Sequence, residues 1–184
     1  MYDKSKPVRF IHIKKNGGTS SYKFLRKNGV NILVGDSKEG LIRNHNPVSV
    51  YKKEHSYKIC IKRNPYTRVV SFYNWIKRDG GYNWLTFPTY IRDMYNSGRG
   101  YNSWKLQTDY MYHNEKLLID KIFSFENLEN ELRDFFNIDK RFPHLNKGTY
   151  RDHMSYYFNN ELKEIVYNRF KKDFEVLGYE HDEF

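Results

Sequence analysis

Apolar positions fall along the chain in a few short runs. Each run is closed by a polar, glycine- or asparagine-bearing segment and followed by residues whose apolar positions recur at helical spacing. Val8-Arg9-Phe10-Ile11-His12-Ile13 reads as a strand, Lys14 to Gly18 as a polar loop, and a helix is predicted to begin near Thr19. Thr19 or Ser20 can cap that helix, and Gly29 stands where a left-handed residue would end it. The unit recurs. Tyr57 to Lys62 reads as a strand, Asn64 as a cap and Pro65 as a first helical residue, and Val69, Val70, Tyr73 and Ile76 form an apolar stripe. A third copy runs from a strand at Lys121 to Phe125 into a helix at Leu128 to Phe136. Near the C-terminus Leu162, Ile165, Val166, Phe170 and Phe174 predict a long amphipathic helix packed on the domain and ended by Gly178.

Alternating strands and helices favour an α/β fold. A mostly parallel sheet would be covered by helices and would bind ligands at the carboxyl ends of its strands. The 184 residues fit a single domain, 1–184, with one core and one main site, and show no repeat or low-complexity tract. Residues 79 to 110, with Gly80-Gly81, Pro88 and Gly98-Arg99-Gly100, read as loops and short helices over that site.

Composition narrows the partners. A charged fraction of 29% and a mean hydropathy of −0.89, with no apolar run approaching the ~18 residues of a membrane span, argue for a soluble chain. The first ten residues are charged, not signal-like, so the expected location is cytoplasmic. The formal charge of +10 favours an anionic partner: nucleic acid, acidic lipid, nucleotide or acidic glycan. Cys60 is the single cysteine, which excludes an internal disulfide, and the seven histidines form no HExxH pair, so no metal is expected.

Two segments carry the chemistry. In Phe10-Ile-His-Ile-Lys-Lys-Asn-Gly-Gly-Thr-Ser20 a strand runs through a glycine pair into a helix, where successive N–H groups and the helix N-terminus can cradle an anion. Gly17 and Gly18 let the backbone approach closely, Thr19 and Ser20 add hydroxyl donors, and Lys15 adds a point charge. Taken alone, the segment is equally an ordinary turn with surface lysines. It lacks the GxxxxGK[ST] spacing, which weakens an ATPase reading. In Ile59-Cys-Ile-Lys-Arg63-Asn-Pro-Tyr-Thr-Arg68-Val-Val-Ser71-Phe-Tyr73, Arg63 at a strand tip and Ser71 two turns into the next helix can both reach one phosphate. Arg68 reads as a surface or packing residue.

With these two segments the chain resembles the sulfotransferases that use 3′-phosphoadenosine-5′-phosphosulfate (PAPS). The likeness is to the carbohydrate branch, whose motifs read like F-x-H-I-P-K-T-G-G-T-S and V-R-N-P-Y-x-R-L-V-S-x-Y. Weaker echoes, Trp104 to Tyr110, Phe125 to Leu128, Leu145 to Lys147 and Asp173 to Tyr179, extend it over about residues 8 to 180. The resemblance implies a P-loop nucleotide-kinase-like fold with a central parallel sheet flanked by helices. It also implies that Lys15, Asn16, Gly17, Gly18, Thr19 and Ser20 form the 5′-phosphosulfate loop and that Arg63 and Ser71 hold the 3′-phosphate. Lys147 and Gly148 would lie by the nucleotide, a plain surface loop being the alternative, and Phe125-Glu126 would be structural. Lys14 and Asn16 depart from the family's usual proline and threonine, and the short lead before the first motif looks like a catalytic domain without the membrane anchor of the family's Golgi members.

In the resembling enzymes a histidine about as far before the second motif as His45 is the catalytic base. His45 is then the base and Lys15 stabilises the leaving phosphate, with His55 and Glu54 in reserve and a polar loop residue as the bland reading of His45. The expected activity moves a sulfuryl group to a hydroxyl acceptor by in-line displacement and yields the desulfated nucleotide PAP. A sugar is the preferred acceptor, on which Trp84 and Trp104 could stack, with tyrosine or a small metabolite as alternatives. The rival readings are a non-catalytic binder of nucleic acid or acidic glycan, resting on charge and on Trp75 with Lys77-Arg78, and a small-molecule kinase, disfavoured by the missing Walker lysine.

Overall fold

A computed structural model describes residues 5–33, 45–80, 82–97, 105–143, 145 and 154–182. The fold is α/β with a central four-stranded parallel sheet flanked by helices. The chain forms two compact units, one from residues 1–63 and 107–146 and the other from residues 64–106 and 147–184.

The first unit holds the sheet. Strands β1 (Val8–Ile11), β2 (Ile32–Leu33), β3 (Tyr57–Lys62) and β6 (Lys121–Ser124) pair in the order β2-β1-β3-β6. Every residue of β1 is buried, as expected of an interior parallel strand covered on both faces. The register sets Val8 beside Tyr57 and Ile59 beside Lys121, so Phe10, Ile59, Ile61 and Phe123 share one cluster. Helix α1 (Gly18–Lys27) adds Phe24 and Leu25 to it, and α5 (Leu128–Phe136) adds Leu128, Leu132 and Phe136. Fully burying each such side chain is worth about 1.5–3 kcal/mol. Arg9 is the exception within β1. Its guanidinium is held by both carboxylate oxygens of Glu54 and lies 4.2 Å from the centre of the Tyr51 ring, so the buried charge has a hydrogen-bonded partner.

Local chemistry explains most boundaries. Gly29 adopts φ +78°, and the Val30 N–H donates to the Leu25 carbonyl at 3.1 Å, closing α1 in a Schellman-type turn. At its start α1 differs from expectation. Gly17 holds the cap position at φ 77° and ψ 10° with no side-chain cap, while Thr19 and Ser20 lie inside the first turn. Ser20 is drawn elsewhere, its Oγ accepting from the Leu145 N–H at 3.1 Å. β6 ends one residue earlier than predicted, because Phe125 begins a 3-10 turn. Between the short helix α4 (Thr108–Met111) and β6, strands β4 (Tyr112–His113) and β5 (Lys116–Leu117) form a hairpin unforeseen in the sequence. Its two-residue turn, Asn114-Glu115, takes positive φ at both positions without the usual glycine.

The second unit is helical. α2 (Pro65–Asp79), α3 (Phe87–Ser97) and α6 (Asn160–Leu177) pack together, with α6 against both others. Asn64 caps α2 by accepting from the Tyr66 N–H at 2.9 Å, with Pro65 first in the helix as predicted. Asn159 caps α6 in the same way through the Leu162 N–H, and Gly178, at φ +70°, closes it. Of the predicted C-terminal stripe, Leu162, Val166, Phe170 and Phe174 are buried among Tyr66, Phe72, Tyr73 and Phe87 while Ile165 is only partly buried, and α6 has one non-helical residue at Phe170. Arg68 is a packing residue. Its guanidinium carbon lies about 6 Å from the Phe72 and Phe170 rings, and Nη1 donates to the Lys105 carbonyl at 3.0 Å. Among the described residues the buried apolar side chains form two clusters, one in each unit. No described helix is long and apolar enough to cross a membrane.

Candidate active site

Strands β1, β3 and β6 are parallel, so their carboxyl ends lie at one edge of the sheet, where α/β folds place ligands. The loop 12–17 leaves β1 there. It turns through two left-handed residues, Lys15 at φ 67° and Gly17 at φ 77°. Glycine adopts that region freely, but in lysine it costs roughly 1 kcal/mol or more and persists only where neighbours enforce it. The enforcing contact is Arg63 at the tip of β3, whose Nη1 donates to the Lys15 carbonyl at 2.7 Å. The guanidinium is itself held 3.9 Å from the centre of the Phe125 ring, just beyond β6. Phe125 therefore supports the site as well as the fold.

Asn16 differs from its expected place among the anion donors. Its side chain turns inward and is buried, with Nδ2 donating to the Ile61 carbonyl at 2.6 Å and to Gln107 Oε1 at 2.7 Å. Gln107 is the residue that sequence reasoning missed. It is fully buried: Oε1 also accepts the Arg63 N–H at 2.9 Å, and Nε2 donates to the Arg63 carbonyl at 2.7 Å. One amide thus latches the loop to the end of β3. The only hint in the sequence is its place in the weak echo Trp104 to Tyr110.

The glycines are set by close packing. A Cβ on Gly17 would meet Leu128 Cδ2 at 3.0 Å and Phe125 at 3.1 Å, and one on Gly18 would sit 2.1 Å from His12 Cδ2. Gly18 thus seats the buried His12 ring, whose centroid lies 4.5 Å from that of His45. His45 Nδ1 stands 3.0 Å from the His12 carbonyl. A carbonyl only accepts, so Nδ1 carries a proton, and in the neutral ring the lone pair is on Nε2. Gly18→Ala is therefore expected to displace His12 and cost about 1–3 kcal/mol, the usual range for overpacking. Chemical denaturation checks this, and an unchanged midpoint would contradict the close packing.

Lys15, Asn16, Gly17, Gly18, Thr19, Ser20, Arg63 and His45 all belong to the first unit, the first six forming the loop and the first turn of α1. Ser71 lies in the second unit, half-buried two turns into α2. Lys147, Gly148 and Trp104 are outside the described residues. Glu54, a reserve base, is committed to Arg9, which holds its carboxyl below the usual carboxylate range. Cys60 lies buried in β3, and burial pushes its thiol well up, away from the thiolate a nucleophile needs. Of the aromatic-basic cluster on α2, the Lys77 amine lies over Tyr73 and Arg78 pairs with Asp79. Among the described residues no group of three or more His, Cys, Asp or Glu side chains could hold a metal. No family model, no curated protein and no solved structure matches the chain.

Proposed function

We propose that the chain is a PAPS-dependent sulfotransferase on a P-loop nucleotide-kinase-like fold, transferring to a hydroxyl acceptor, with a sugar preferred. The observation that supports this best is the loop between β1 and α1. Two left-handed residues and the start of a ten-residue helix without an acidic first turn together suit a phosphate or sulfate group. The first N–H groups of a helix have no acceptor within the helix, so those of Gly18, Thr19 and Ser20 suit anionic oxygens. The Arg63 guanidinium, bound to the Lys15 carbonyl, supports this with positive charge at the same loop, and Lys15 is assigned to add its own.

PAPS, when bound, supplies the sulfuryl group and leaves as PAP. In this reading His45 Nε2 accepts the acceptor's hydroxyl proton as the oxygen bonds to sulfur, and the S–O bond to the 5′-phosphate breaks. Lys15 and the loop N–H groups stabilise the charge left on that phosphate. Arg63, and Ser71 on α2, are assigned to the 3′-phosphate. A cytoplasmic location, and a donor reaction that needs no metal, belong to the same proposal.

A thermal-shift comparison of nucleotides tests it. PAP should raise the melting temperature well above the effect of ADP or ATP, and at one hundred times its dissociation constant should add about 2.7 kcal/mol. Equal stabilisation by ATP would remove the case for a 3′-phosphate pocket. Turnover with labelled PAPS against panels of glycans, tyrosine peptides and metabolites then identifies the acceptor class.

A further inference from the structure

At the opposite edge of the sheet from the loop between β1 and α1, the first unit has a concavity of about 370 Å³, built from the chain before β1, the loop entering β3 and the run from β5 to β6. Lys6, Lys52, His55, Lys58 and Lys116 line it. Its two carboxylates already have partners: Arg9 holds both oxygens of Glu54, and Asp120 Oδ2 accepts the Lys58 N–H at 2.7 Å. The four ammonium groups therefore outnumber the carboxylates beside them, and Arg9 offsets one of those. Leu117, Leu118 and Ile119 supply an apolar wall, and an excess of positive charge beside a low-dielectric wall favours an anionic occupant. Two of the amines are positioned. Lys58 Nζ donates to the Glu54 carbonyl at 2.9 Å, and Lys52 Nζ stands 3.4 Å from His113 Nε2 on the hairpin. The six residues of β3, at about 3.3 Å each, separate this edge from the phosphate loop by roughly 20 Å, beyond the reach of one small ligand bound at that loop.

We propose that this concavity is a second anion site, which takes a phosphate or sulfate ester group of a small ligand. The lysines pair with its oxygens, and the leucine and isoleucine wall covers the carbon skeleton next to it. The site stands on its own residues and does not depend on the activity proposed for the phosphate loop.

The test is a titration of the full chain with inorganic pyrophosphate at low ionic strength, followed through the backbone amide NMR signals of Ser56, Leu118 and Ile119. Saturable shifts are expected, with the dissociation constant raised at least about tenfold in Lys52→Ala/Lys116→Ala, since each lost charged contact is worth more than a factor of ten. Both side chains are exposed, so the variant should fold normally. Lys171→Ala/Lys172→Ala removes the same charge from an exposed stretch of α6 and should leave the affinity unchanged. Parallel arms with glucose 6-phosphate and glucose 6-sulfate show which ester is favoured. Equal weakening in the two double variants would reduce the effect to net charge and overturn the site. So would pyrophosphate shifts absent from Ser56, Leu118 and Ile119.

Discussion

Replacing His45 by alanine is expected to cut turnover at least a hundredfold while leaving PAP affinity nearly unchanged. A hydroxyl attacking sulfur must lose its proton, and a positioned base contributes about 10²- to 10⁴-fold in rate. The geometry favours this histidine. Its Nδ1 donates to the carbonyl of His12, just past β1, which leaves the lone pair of the neutral ring on Nε2. The reserve candidates are placed differently: Glu54 and His55 line the concavity at the far edge of the sheet, and Glu54 is tied up by Arg9. Imidazole ordinarily titrates near 6.5, so the acidic limb of the pH–rate profile should flatten in the variant. Initial rates and PAP titrations on the purified variant check both parts. Retained activity in His45→Ala, with losses in Glu54→Gln or His55→Ala, would reassign the base.

Gln107→Ala should produce the largest loss of stability, roughly 2 to 5 kcal/mol. The substitution takes one partner each from the Arg63 N–H, the Arg63 carbonyl and Asn16 Nδ2, at about 1–3 kcal/mol for each buried group left unsatisfied. The sum is held below the simple total because Asn16 keeps its bond to the Ile61 carbonyl. Loss of the latch also frees the loop from the end of β3, so PAP affinity should fall with stability. Gln107→Glu separates the terms. It can still accept from Arg63 N–H and Asn16, but it replaces the donor to the Arg63 carbonyl with a carboxylate oxygen. Urea unfolding with a fixed m-value is the measurement. A Gln107→Ala variant within 0.5 kcal/mol of the parent, the range usual for surface substitutions, would refute the latch.

Neither residue could be reached from the sequence in the same way as the elements around it. The strands at Tyr57–Lys62 and Lys121–Ser124, the helices at Pro65–Asp79 and Leu128–Phe136, and the ends at Asn64, Gly29 and Gly178 follow from interactions within a few residues. A short apolar run closed by polar residues, the 3.6-residue stripe, an asparagine accepting from the second N–H ahead and a glycine free to take positive φ are all local. Where a tertiary partner competed, the local reading slipped. Thr19 and Ser20 looked like caps, but Ser20 binds Leu145 and the cap position fell to Gly17. The loop at Lys14 to Gly18 was visible as a candidate anion cradle. Its left-handed turn at Lys15 was not, because the arginine that enforces it lies 48 residues away. Gln107 reaches Asn16 across 91 positions and Arg63 across 44, and His45 reaches His12 across 33. Local sequence thus specifies the elements and the residue types gathered at their ends. Which of those residues meet is a matter of tertiary structure, because parallel strands are joined only by long crossovers, and a buried amide or half-buried imidazole takes its partners from whichever strand ends the crossovers bring together.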